Sequence, residues 1–384
     1  MSRKGFSVEL QALRGLAALI VLAAHCASAI TLPGGVGPLR FILNSGGAVV
    51  FFFVLSGFVL ALSLQSRPAT PQNTVSYYIR RGFRIYPALI VATILGTLIC
   101  NHLALRADLS FGSDWLNIFY QQRIDGRKFV QAAAGLSAAA NPPAWSILVE
   151  LICSAILPLL VFTTRGPASA IAWAVALTSV SFLVGPHTVY AVGVYPIHFF
   201  AGATIPLWGP AFAQAVARAG AWATPALLSL CALVFFTARA GFLHELGHHH
   251  PLTAFVELLV TVPAIAIIYY GGKGIPALRT PVFAFLGDIS YSLYLLHFPI
   301  MVALLVIASA TFGAAAIAQA PVLATFALVG ATMAVSLAMS ALVYAFVEKP
   351  FIVVGRQLAG WSSPVVTRTL IGVRRSPRRA DTSR

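Results

Sequence analysis

The amino-acid sequence predicts an all-α fold, a polytopic transmembrane helical bundle of about ten spans with both termini cytoplasmic. Three observations predict it. Hydrophobic residues make up 59% of the chain and charged residues only 9%, where a soluble protein carries roughly a quarter charged. Apolar runs long enough to cross a bilayer, about 20 residues each, recur along nearly the whole chain, and mean hydropathy is +0.87. These runs lack the alternation of barrel strands, and in lipid only helices or closed barrels satisfy the backbone.

The spans fall at 9–31, 46–66, 86–104, 144–163, 168–185, 189–208, 222–238, 252–270, 284–309 and 321–346. An even number places both ends on one side. With the amino end inside, 19 of the 25 basic residues lie on inner segments and six on outer ones, which is the positive-inside bias. The net charge of +15 is therefore a matter of topology and gives no reason to expect nucleic acid. The tail residues Arg374, Arg375, Arg378 and Arg379 read as a disordered topology anchor, with contact to anionic lipid as the functional alternative. Cys26, Cys100, Cys153 and Cys231 sit singly in apolar runs, without metal-ligand or disulfide spacing, and read as small apolar residues.

Ionisable residues inside spans are costly and are candidate functional groups by default. The first run is long and lacks a convincing small-x-small cleavage site, so it reads as a span and not a signal peptide. It carries Arg14 and His25, eleven residues apart. At 100° per residue they return to within about 20° of one face, roughly 16 Å apart along the axis. Snorkelling for Arg14 and a satisfied interior histidine for His25 are the plain alternatives. At the inner mouth of the third span, Arg81 and Arg84 share a face if the stretch Tyr77 to Pro87 is helical. Paired guanidinium groups suit phosphate recognition, although the residues alone favour a basic interfacial belt.

The interval 105–143, with Trp115, Asn117 and Pro142-Pro143, is an outer lid, an acceptor-binding surface or a plain connector. Glu150 lies early in the fourth span and needs a partner or a wet cavity. Around His244-Glu245 and His248-His249-His250 the spacing is not that of a helical metal site, and the stretch reads as a solvated loop. Glu257 reads as interfacial, His297 as a satisfied interior histidine or a chemical group, Asp288 as lying nearer the inner edge, and Glu348-Lys349-Pro350 as a charged helix terminus.

Together these motifs resemble the acyltransferase 3 family of bacterial membrane O-acyltransferases over essentially the full chain. The residues that carry the resemblance are Leu13-Arg14-Gly15 followed by His25, Phe51-Phe52-Phe53-Val54-Leu55-Ser56-Gly57-Phe58, and Arg81 and Arg84 ahead of Ile85 and Pro87. They continue in Trp145-Ser146 with Glu150, Ser290-Tyr291-Ser292-Leu293-Tyr294-Leu295-Leu296-His297, and Val347-Glu348-Lys349-Pro350. The resemblance implies acyl transfer, usually acetyl, from cytoplasmic acetyl-coenzyme A or another acyl-coenzyme A to a hydroxyl of an extracytoplasmic glycan. O-antigen, capsule and exopolysaccharide are examples of such an acceptor. It implies a multi-pass protein of the bacterial cytoplasmic (inner) membrane whose partners are acyl-coenzyme A, a cell-surface glycan and membrane lipids, with no metal. Residues 1–355 are then the membrane-embedded acyltransferase domain and 356–384 the basic cytoplasmic tail.

Arg14 and His25 match the family's essential pair, and Arg81 and Arg84 its paired arginines. One departure stands out. Many members follow Trp-Ser with two successive acidic residues, whereas here Glu150 is followed by Leu151-Ile152-Cys153, so no second acidic role carries over. The sequence ends at Arg384 without a hydrolase-like domain, so transfer is expected to be completed by the membrane domain or a separate protein. The implied chemistry has Arg81 and Arg84 holding the coenzyme A phosphates. Arg14 positions the thioester or stabilises charge on its carbonyl oxygen. His25 acts as general base or forms an acyl-histidine, and Glu150 or His297 orients a group or handles a proton. On physical grounds alone a proton-coupled transporter of a glycan or small solute competes equally.

Overall fold

Among the described residues, ten apolar helices overlap the ten predicted apolar runs. The computed structural model describes residues 7–247, 249–272 and 275–361. In chain order the apolar helices are α1 (Val8–Ala29), α2 (Ser45–Gln65), α3 (Pro71–His102), α4 (Trp145–Thr163) and α5 (Pro167–Leu183). They continue with α6 (Pro196–Arg218), α7 (Ala223–Thr237), α8 (Pro251–Tyr270), α9 (Pro281–Phe312) and α10 (Pro321–Val343). A final amphipathic helix, α11 (Lys349–Trp361), follows. Eight of the ten are long and apolar enough to cross a membrane; α5 and α7, at 17 and 15 residues, are apolar but shorter. The all-α bundle stands, and no strand occurs among the described residues.

Local chemistry sets the helix starts. Ser7 and Thr70 accept from the backbone N–H groups of Leu10 and Asn73, capping α1 and α3, and Asn44 accepts from Gly47 to cap α2. Proline occupies the first turn of α3, α5, α6, α8, α9 and α10, where its missing N–H costs nothing. Two expectations shift. The third span begins 15 residues earlier than the expected 86, because the basic stretch is itself helical and Pro87 lies inside α3. The span expected at 189 begins at Pro196, since Tyr190 and Ala191 adopt left-handed backbone angles (φ 52° and 51°) that stop a helix there.

α1 lies against α9 in the closest pairing relevant to function. A Cβ on Gly15 would stand 2.6 Å from the Leu286 backbone, and one on Gly287 2.4 Å from Gln11, so only glycine admits this approach. The end bearing the start of α1, the start of α3 and α11 is called inner, after the orientation that the charge rule leads one to expect. At the opposite end, the segment from Leu103 to Ala144 folds over α1. Thr31 N–H donates to Phe111 O at 3.3 Å, Ser113 N–H to Ala29 O at 3.0 Å, and a short helix, Asp114–Asn117, carries Trp115. α11 runs through residue 361 and includes Arg356; the rest of the expected tail, 362–384, lies outside the described residues.

Candidate active site

Arg14 and His25 both turn toward α9, as their shared face requires. Near the inner end Arg14 donates from Nε to Ser290 Oγ at 2.8 Å and from a terminal nitrogen to Gly287 O at 2.7 Å. One turn earlier on α1, Gln11 bonds Asp288. Toward the outer end His25 Nδ1 lies 2.9 Å from His297 Nε2, with the two rings stacked at 5.1 Å. His297 is fully buried and its Nδ1 lies 3.2 Å from Leu293 O.

This last contact fixes the tautomers. A carbonyl only accepts, so His297 Nδ1 carries a hydrogen and Nε2 of the neutral ring is an acceptor. His25 must then donate from Nδ1, which leaves the lone pair of its neutral ring on Nε2. Leu293 O, His297 and His25 thus form a hydrogen-bonded chain in which positive charge developing on His25 would have an acceptor behind it. Above His25 lies Trp115, ring centroids 5.2 Å apart, with Phe298 edge-on at 6.0 Å. The outer segment is thus a cap over the histidine pair.

On the inner side a cavity of about 710 Å³ separates α1, α2, α3, α4, α9 and α11. Arg14, Arg81, Arg84, Glu150 and Asp288 all line it, but His25 and His297 do not. Tyr294 and Phe52, which line the cavity in edge-to-face contact at 5.6 Å, stand where it meets the histidines, and the Tyr294 ring is 5.9 Å from that of His297. Tyr294 is held by its hydroxyl, which shares a 2.9 Å bond with Ser146 Oγ and donates to Pro143 O at 3.1 Å.

The paired arginines share a helix yet reach different partners. Arg81 forms an ion pair with Glu150 and donates to Ser154 Oγ at 3.0 Å; Arg84 pairs with Glu348 and lies over the Tyr291 ring. Glu348 is fully buried and also accepts from Ser292 at 2.6 Å, which corrects its reading as a helix terminus: a carboxylate there is tolerated because two donors hold it. Glu257 is corrected likewise. It is buried in a two-pronged pair with Arg239, both contacts 2.9 Å, and accepts from Asn44 at 3.0 Å. Sequence reasoning missed Lys349 and Arg356 as cavity residues; the usable signal was the i, i+3, i+4, i+7 spacing of Lys349, Ile352, Val353 and Arg356.

The histidine-rich loop is no solvated connector at His249. Its Nδ1 lies 2.8 Å from the Tyr195 hydroxyl and its ring meets Trp145 edge-on at 4.6 Å. Burial and the nearby Arg239 push its imidazole down to about 4. His248 lies outside the described residues. Among the described residues no three His, Cys, Asp or Glu side chains gather as a metal site.

A family model for an acyltransferase domain matches residues 7–341. The chain is similar to acyltransferase MdmB of Streptomyces mycarofaciens, at 25% identity over 321 residues, covering 76% of this chain and 78% of that protein. No solved structure gives a significant match. The family match ends before Glu348 and α11.

Proposed function

The chain belongs to the acyltransferase 3 family, and from that premise we propose that it transfers an acyl group from cytoplasmic acyl-coenzyme A to a hydroxyl of an extracytoplasmic glycan such as O-antigen, capsule or exopolysaccharide. In the simplest case the group is acetyl. The observation that carries the reading is the His25–His297 pair, set between an inner cavity lined by cationic side chains and an outer cap.

His25 Nε2 takes the proton of the acceptor hydroxyl as that oxygen attacks the thioester carbonyl carbon. The carbon–sulfur bond breaks, and the departing thiolate recovers the proton from the imidazolium. His297 accepts the His25 Nδ1–H throughout, orienting the ring and stabilising its charge; Leu293 O orients His297 in turn. Ser290 and His297 are seven residues apart on α9, about 10 Å of rise, so Arg14 at Ser290 lies well short of the reacting carbonyl. Of its two expected roles, positioning the donor fits this distance and stabilising the oxyanion does not. Arg81 and Arg84 give the donor cavity a wall of hydrogen-bond donors, with Glu150 and Glu348 fixing their geometry.

Purified protein given labelled acetyl-coenzyme A and candidate glycans tests the proposal. Label on a glycan supports it, and His25→Ala then abolishes transfer while coenzyme A binding persists. Acceptor crossing vesicles without acylation would support proton-coupled transport instead.

A further inference from the structure

Each deep cation of the cavity is already engaged. Arg81 faces Glu150, Arg84 faces Glu348, and Arg14 is held by Gly287 O and Ser290. A guanidinium neutralised by a carboxylate keeps spare N–H donors but offers a polyanion little net attraction. Arg81 and Arg84 therefore add little net charge, and further charge to hold one would come from elsewhere on the wall.

It is present on α11. The five-residue π-helical turn Tyr344–Glu348 widens the helix at the end of α10 and offsets the register that follows. Glu348 then points into the protein toward Arg84 and Ser292, and Lys349, Ile352, Val353 and Arg356 turn one continuous face to the cavity. The adjoining face is fastened to α3. A Cβ on Gly355 would stand 2.5 Å from Phe83, and Ser76 Oγ donates to Ala359 O at 2.9 Å. The two cations are therefore carried on a docked helix. Both are exposed, and among the described residues neither Lys349 nor Arg356 forms an ion pair. Along α3, Arg84 lies level with Glu348, and Ser76, nearer the inner end, with Ala359. Arg356 thus stands toward the mouth and Lys349 level with Arg84, with Arg14 across the same cavity.

We propose that Lys349 and Arg356 form the phosphate-binding subsite for the nucleotide half of the donor, and that Arg81 and Arg84 are held mainly by their carboxylates. The inference rests on the acyl-coenzyme A reading above. The same side chains would also suit the phosphate of an anionic lipid headgroup. Their position on the cavity wall, facing Arg14 across the same space, favours a ligand that enters the cavity.

Equilibrium binding of coenzyme A and 3′-dephospho-coenzyme A to the full chain in phosphatidylcholine nanodiscs tests this, with a parallel set containing phosphatidylglycerol. The variants are Lys349→Gln, Arg356→Gln and Arg356→Lys, with Arg165→Gln as control for an exposed inner charge away from the cavity. Each glutamine variant should weaken coenzyme A binding roughly tenfold, the low end for a charge-assisted hydrogen bond. At least one should lose less against the dephospho form; Arg356→Lys should recover most of its loss, and Arg165→Gln should bind as wild type. If wild type binds coenzyme A and both glutamine variants match it, the subsite is refuted while the donor reading stands. A variant effect on phosphatidylglycerol dependence alone refutes it in favour of lipid. If wild type binds neither form, the donor reading fails and the subsite with it.

Discussion

Replacing His297 is the most informative perturbation of the proposed chemistry. Its Nε2 sits 2.9 Å from His25 Nδ1, and its other nitrogen is held by Leu293 O. When His25 takes a proton in the transition state, the bond between the rings becomes a hydrogen bond from a charged donor, worth about 1.5–3 kcal/mol. Losing it should slow the transfer step by roughly 10- to 150-fold. His297→Ala also empties a fully buried site, which can cost about 2–5 kcal/mol of stability, so its rate alone is ambiguous. His297→Gln separates the effects: its amide oxygen can take the place of Nε2 and accept from His25 while most of the volume is kept. At saturating donor, label transfer should fall in the order wild type, His297→Gln, His297→Ala, His25→Ala, with coenzyme A binding retained throughout. Folded His297→Ala at the wild-type rate, or His297→Gln as slow as His297→Ala, would refute the relay.

Glu348→Gln leaves Arg84 without its buried partner and should cost about 3 kcal/mol, seen as a lowered midpoint of thermal unfolding; an unchanged midpoint contradicts the pairing. Phe52→Ala thins the barrier between cavity and histidines, so donor hydrolysis without acceptor should rise several-fold, measured as thiol release. Trp115→Ala uncovers His25 and should lower transfer while sparing coenzyme A affinity, because the cap contacts the outer site and not the cavity. The His249 pKa lies below its unfolded value, at about 4 against 6.5, so the unfolded chain binds more protons in between. Stability from the His249–Tyr195–Trp145 contact should be full above pH 6.5 and be lost as pH falls toward 4; His249→Phe should flatten that slope.

The bundle was legible because the solvent is written into the composition. Ten apolar runs cannot be anything else in lipid, and the ten helices fall on them. What sequence left open was convergence. The arithmetic that put Arg14 and His25 on one face was sound, but nothing in it named α9 as the face they meet, nor His297 as the partner of His25. Arg81 and Arg84 read as a phosphate pair because their carboxylates lie 69 and 264 residues away in the chain. Glu348 and Glu257 looked peripheral for the same reason: position along a span reveals depth, while satisfaction depends on a neighbouring helix. The tight α1–α9 contact rests on Gly15 and Gly287, two glycines among 30 with no local signal to distinguish them.

Charge along the path fits a donor with phosphates at one end and an acyl group at the other. Ions deep in hydrocarbon are tolerable only when partnered: Arg81 and Arg84 are matched by carboxylates, and Arg14 is held by the neutral acceptors Gly287 O and Ser290 Oγ. A site built from matched pairs exerts little pull on a polyanion and leaves no unpaired charge behind when the ligand departs. Unmatched cations belong where water still reaches, and Lys349 and Arg356 stand there. Beyond Tyr294 and Phe52 the path changes character again, to two hydrogen-bonded histidines with aromatic neighbours. On the proposed mechanism the three zones would meet three demands: hold the phosphates, pass the thioester, and move one proton. Arg14 stands at the boundary of the first two, roughly 16 Å of helix from the third.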